Sequence, residues 1–109
     1  MTTVYKVLGQ SNPTANTMTT VYTVPAGNSA VISSIVICNQ AAANANVDIA
    51  VCQANTAVTA AQYITRTSNT IAYDTMILTL GITLAATDTI RVQSTNGNTS
   101  VAVFGSEIY

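Results

Sequence analysis

Asp88-Thr-Ile-Arg-Val-Gln-Ser-Thr-Asn-Gly-Asn-Thr-Ser-Val-Ala-Val-Phe-Gly105 places two alternating apolar and polar runs on either side of Asn96-Gly97. Asn-Gly is the preferred pair for a two-residue type I′ hairpin turn, because both central residues need positive φ. With Thr95 facing Asn98, the predicted ladder sets Arg91 against Ala102, Val92 against Val101 and Ile90 against Val103. Ile90, Val92, Val101 and Val103 then share one face, and Arg91, Gln93, Ser100 and Ala102 the other. Turn chemistry and the period of two agree, so the stretch predicts a half-buried antiparallel hairpin.

Working outward, the same punctuation recurs along the chain. Thr3 to Leu8 predicts a first strand or an extended arm, and residues 1–17 form an N-terminal arm or edge strand ended by the turn residues around Pro13. Met18 to Val24 is the next strand, and Val24-Pro25-Ala26-Gly27-Asn28 predicts a sharp reversal: Pro25 presets φ and Gly27 tolerates a positive one. Ala30 to Cys38 is apolar on both parities around Ser33-Ser34. That suits a central strand buried on both faces, or covered on one face by a neighbouring subunit. Val47, Ile49 and Val51 alternate with Asp48, Ala50 and Cys52 in a one-faced strand.

Ala54 to Tyr63 lacks an apolar stripe and predicts a loop, with a helical turn as the alternative. Two short strands, 62–65 and 70–73, flank a turn at Arg66 to Asn69. Met76, Leu78 and Leu80 alternate before Gly81, and Ile82 to Leu84 forms a brief edge piece. Eight or nine short strands at about ten-residue spacing predict an all-β fold, a single antiparallel β-sandwich or jelly-roll-like domain over residues 1–109. No internal period of a solenoid is visible.

Composition narrows the function classes. Three basic residues (Lys6, Arg66, Arg91) face four acidic ones (Asp48, Asp74, Asp88, Glu107), so 6% of the 109 residues are charged and the net charge is −1. Soluble domains average about 25%. No basic footprint for nucleic acid exists, and a surface of Thr, Asn, Ser and Gln has little charge to oppose self-association. No apolar run reaches the roughly 18 residues of a membrane-spanning helix. Residues 1–6 carry no apolar segment after a basic start, so no signal peptide is expected.

Histidine is absent, which removes the usual neutral-pH base and the commonest metal ligand. Asp74 and Asp88 are the best candidates for a catalytic carboxylate pair, but Asp before Thr at a turn more commonly bonds nearby backbone N–H groups. Catalytic, cofactor and metal residues are therefore assigned as none. If the strands containing Cys38 and Cys52 pair as a hairpin, the two are offset by about five residues. At ~3.3 Å each, that exceeds the ~7 Å reach of a disulfide, so two free, mostly buried thiols are expected. Phe104, Ser106 and Ile108 continue the polar parity of the quoted stretch. An aromatic there marks a subunit interface or a face covered by another segment of the chain.

Val4-Tyr5-Lys6-Val7-Leu8-Gly9-Gln10-Ser11, Val21-Tyr22-Thr23-Val24-Pro25-Ala26-Gly27 and Val36-Ile37-Cys38-Asn39-Gln40 resemble segments of the small virion structural proteins of tailed bacteriophages, notably those of cyanobacteria. Ile71-Ala72-Tyr73-Asp74 and the run from Leu78 to Asp88 add to the likeness. The resemblance implies a non-enzymatic component of the virion, made in the host cytoplasm. Most specifically it implies a capsid decoration, or cement, protein, a homotrimer touching the major capsid protein or other virion proteins, without nucleic-acid or membrane partners. Tyr5, Phe104, Ile108 and Tyr109 are the candidate subunit or capsid interface. The alternatives are a tail, baseplate or fibre-associated module, and a carbohydrate-binding host-attachment module using Tyr63 and Tyr73 as platforms.

Overall fold

In the computed structural model, which describes residues 1–109 apart from the side chain of Leu80, the chain forms eight strands and one 3₁₀ turn. The strands are β1 (Thr3–Ser11), β2 (Thr19–Thr23), β3 (Ser29–Asn39), β4 (Ala45–Cys52), β5 (Tyr63–Thr70), β6 (Thr75–Leu84), β7 (Thr89–Ser94) and β8 (Thr99–Ile108). They make two four-stranded sheets, ordered β1-β8-β3-β6 and β2-β7-β4-β5, and every pairing is antiparallel. The partners β1/β8, β2/β7, β3/β6 and β4/β5 are those of one long hairpin rolled up on itself, which is a jelly roll. The expected fold class holds, with β1 an edge strand rather than a free arm.

The predicted pairing within Asp88 to Gly105 does not occur. β7 pairs with β2 and β4, β8 pairs with β1 and β3, and the Asn96-Gly97 turn carries the chain from one sheet to the other. Neither residue adopts the positive φ of a type I′ turn. Instead the Asn96 side chain organises the crossing: its Oδ1 accepts from the Asn98 N–H at 2.9 Å and from Thr99 Oγ1 at 3.0 Å. The parity nevertheless stands, because inward alternation depends on facing a core and not on which strand lies alongside. Ile90, Val92, Val101 and Val103 are all buried, while Arg91, Gln93, Ser100 and Ala102 are half-exposed.

The double parity of β3 also has a different cause from burial on two faces. Ala30 and Ile32 point inward, a bulge falls at Ser33, and Ile35 and Ile37 point inward beyond it. The extra residue switches which parity meets the core. The register of β1 shifts at Leu8, and that of β6 between Thr79 and Ile82, so the whole sheet bends along one line. On β8 the line passes Gly105, where an added Cβ would fall on the Val31 carbonyl and lie 3.0 Å from Ile32 Cα. Only glycine permits that approach.

Two further expectations change. β5 runs unbroken through Arg66 to Asn69, with Thr67 at φ 53°, and the reversal falls at residues 71–74, where Asp74 N–H donates to Ile71 O at 3.0 Å. β6 is one strand of ten residues and not two pieces; the predicted inward place of Leu80 lies outside the described side chains. Residues 53–62 begin with the 3₁₀ turn at Gln53–Asn55 and continue as loop, combining the two readings of that segment. Pro25 to Asn28 reverses as expected, with Gly27 at φ 82° and Asn28 N–H donating to Pro25 O at 3.1 Å.

The core between the sheets is aliphatic: Ile32, Ile35, Ile37, Ile49, Leu84 and Ile90 are among its fully buried members. One end is closed by the buried Asn39, whose Nδ2 donates to Ala43 O at 2.9 Å and Thr70 O at 3.1 Å, while Oδ1 accepts from Ala41 N–H at 3.1 Å. Asn96 Nδ2, in the β7–β8 crossing, donates to the same Oδ1 at 3.3 Å, so one side chain ties the β3–β4, β5–β6 and β7–β8 connections. Among the described residues no helix is long and apolar enough to cross a membrane.

Candidate functional site

The two outer faces of the sandwich differ in chemistry, and the register shows why. On β2-β7-β4-β5, Asp48, Arg66 and Arg91 lie on the strands, and Asn55, in the 3₁₀ turn after β4, accepts from Arg91 Nη2 at 2.5 Å. On β1-β8-β3-β6 the strands contain only two charged residues, Lys6 and Glu107, and both sit on the inward parity. Lys6 is opposite Gly105, and Glu107 is opposite Ala30, a core residue. Among the described residues the outer face of this sheet therefore carries no charge.

That face does carry exposed apolar groups. Register places Tyr5 beside Ser106, Val7 beside Phe104, and Thr3 beside Ile108 on the β1 side. It also places Val31 beside Ser106, Val36 beside Ala102, and Ile77 beside Val36 on the β6 side. Tyr5 is 84% exposed and Ile77 64%, while Phe104 and Ile108 are half-buried by their neighbours. A depression of about 430 Å³ opens on the face between Gln10, Asn12, Val36, Cys38, Ser100 and Ala102. Apolar surface of this kind, spread across four strands and unrelieved by charge, is what a subunit or partner interface presents before it is covered.

Of the residues singled out from sequence, Tyr5, Phe104 and Ile108 come together on this face. Tyr109 lies at its rim, 56% exposed, with its backbone N–H donating to Thr2 O at 2.8 Å. Asp74 and Asp88 end up at opposite ends of β6, about 33 Å apart at ~3.3 Å per residue, and cannot act as a pair. Each bonds backbone instead: Asp88 accepts from Ala54 N–H at 2.8 Å and Ala85 N–H at 2.9 Å, and Asp74 from Thr75 N–H at 2.8 Å. Tyr63 has the Arg66 guanidinium over its ring at 4.7 Å, and Tyr73 stands beyond the far end of β5, so the two make no joint sugar platform. Cys38 and Cys52 are free, on different sheets, Cys52 buried and Cys38 half-buried.

Sequence reasoning missed the polar group behind the face. Glu107 is 4% exposed; Lys6 Nζ lies 2.5 Å from its Oε1, and Tyr22 Oη donates to its Oε2 at 2.6 Å. The hydrogen-bonded Lys6 ammonium, and after it the Tyr22 hydroxyl, hold the carboxyl below the ordinary carboxylate range against the opposing pull of burial. Burial, reinforced by the bond to Glu107 and its charge, pushes the Tyr22 hydroxyl up from its ordinary value. The triad links β1, β8 and β2, so it clamps the edge strand bearing Tyr5 and Val7 to both sheets. A signal was available: Glu107 shares the inward parity of Val101 and Val103, and an inward carboxylate requires a partner.

No protein-family profile and no curated protein matches the chain. A solved structure, that of a pentameric capsid protein isolated from metagenomic phage sequences, is similar to it at 19% identity and a TM-score of 0.33. The likeness covers 96% of this chain and 60% of that one, so the chain spans under two-thirds of that protein's length.

Proposed function

We propose that this protein is a non-enzymatic structural component of a phage virion, a capsid decoration protein that attaches through the outer face of the β1-β8-β3-β6 sheet. The observation that carries the reading is the charge-free face itself. Glu107 and Lys6, the only ionic groups on those strands, are turned inward against each other, and Tyr5, Phe104, Ile108 and Ile77 are left outward. The resemblance of the sequence segments to virion proteins supports the same reading. Three copies meet at the β1 margin, where Tyr5 and Tyr109 are exposed, and the broad face lies against the head lattice. Many weakly attached copies on a symmetric shell hold far more tightly than one.

Immunogold electron microscopy of particles of the encoding phage, with antibody against the purified chain, tests this. Label distributed over heads is the expected result. Label confined to the tail or one vertex transfers the role to a tail, baseplate or fibre module, and particles without label refute the virion reading.

A further inference from the structure

Each sheet of a jelly roll leaves two edges, and this chain guards three of its four. β2 is only five residues long. β1 carries Lys6 and a bulge at Leu8. β5 carries Arg66 and the left-handed Thr67, whose N–H is taken by Asp48 Oδ1 at 2.5 Å. Short length, charge and bulges are the usual protection against edge-to-edge pairing. β6 has none of these over Thr75 to Thr79: the segment pairs regularly with β3 on one side only and contains no charged residue and no proline. At its centre, on the outer face, is Ile77, 64% exposed.

We infer that β6 is a self-pairing edge, at which two copies of this chain join antiparallel about a two-fold axis beside Ile77. The occupant is a second copy because the segment is self-complementary. An antiparallel pair centred on Ile77 sets Ile77 against its own copy, Thr75 against Thr79, and Met76 against Leu78, so apolar meets apolar and hydroxyl meets hydroxyl on each face. No charge on either strand opposes the approach. Ile71 and Tyr73 of the preceding turn are exposed at the same end of the edge, with the exposed Asp74 between them and the strand. A two-fold perpendicular to the sheet also keeps both charge-free faces on one side, which joins them into a single eight-stranded surface. The inference deepens the proposed function by supplying the link between neighbouring oligomers on a lattice, at the margin opposite β1.

Sedimentation velocity of the purified chain over a rising concentration series tests it without particles, so its outcome is separate from that of the immunogold experiment. The wild type is expected to convert to a species of twice the mass of the smallest one. Ile77→Lys and Ile77→Glu, each placing like charges opposite one another, are expected to weaken that step by about fivefold or more, and an equimolar mixture of the two is expected to restore it. Circular dichroism of each variant confirms that the sandwich is intact. The inference is overturned if the wild type shows no doubling, if either variant doubles as readily as the wild type, or if the mixture fails to recover.

Discussion

Replacing Glu107 by Gln removes one charge from the inner side of the sheet while keeping its shape. Hydrogen bonds to charged groups contribute about 1.5–3 kcal/mol, and removing one member of a buried pair costs more when the survivor stays desolvated. Here the survivor is Lys6, whose side chain is 47% exposed and regains water, so its part resembles a surface pair at roughly 1 kcal/mol or less. Tyr22 keeps an acceptor in the Gln carbonyl but loses the carboxylate. The sum is a destabilisation of about 2 kcal/mol, or roughly 10 °C in Tm for a chain of this size. Glu107→Ala also orphans the buried Tyr22 hydroxyl and opens a cavity, for a total of roughly 3–4 kcal/mol.

The pH dependence follows with a fixed sign. Because the folded state holds the Glu107 carboxyl low, it binds fewer protons than the unfolded chain; the contribution is complete above the unfolded carboxyl value of about 4.3 and is lost as pH falls below it. Tyr22 is raised in the folded state, so its contribution is complete below about pH 10 and declines above that. Urea unfolding at pH 7 and through the acid range therefore shows the wild type converging on Glu107→Gln as pH drops. A variant within 0.5 kcal/mol of wild type at neutral pH, near the ordinary scatter of surface substitutions of about ±0.5 kcal/mol, refutes the clamp, as does an unchanged gap through the acid range.

Gly105→Ala drives a methyl into the Val31 carbonyl where the sheet bends, and is expected to cost about 3 kcal/mol or more by thermal unfolding. Asn39→Ala strips the Ala43 and Thr70 carbonyls and the Ala41 N–H of their shared partner, and is expected to cost about 3 kcal/mol in a urea titration. Timed alkylation read by mass spectrometry is expected to label Cys38, beside the surface depression, well before the buried Cys52.

The sequence's alternation was sufficient for the faces and insufficient for the neighbours. Ile90, Val92, Val101 and Val103 were legible as core because each follows the period of two, whichever strand lies alongside. The partners of β7 and β8 were not, because Asn96-Gly97 serves a tight hairpin through positive φ and a crossing between sheets through the Asn side chain, and its letters are the same in both. The Ser33 bulge was visible as a change of parity but open to another explanation, since inward residues on both parities also describe a strand buried twice. Phe104 and Ile108 were legible as sharing the parity opposite the core, though not as to what covers it, and Tyr5 was reached only through likeness, whereas Ile77 had the look of one more apolar residue until β6 proved to be an edge. The Lys6–Glu107–Tyr22 contact joins the first two strands to the last one, at the other end of the chain, and only the closed jelly roll brings them together.

The most direct test of the account is cosedimentation of purified chain with phage particles produced without it, comparing wild type with Tyr5→Lys. Tyr5 is 84% exposed and makes no core contact, so a positive charge there leaves the fold intact while marking the neutral face. Saturable binding of the wild type and its loss in the variant are expected. Equal binding of the two, or no binding by either, contradicts the proposed attachment.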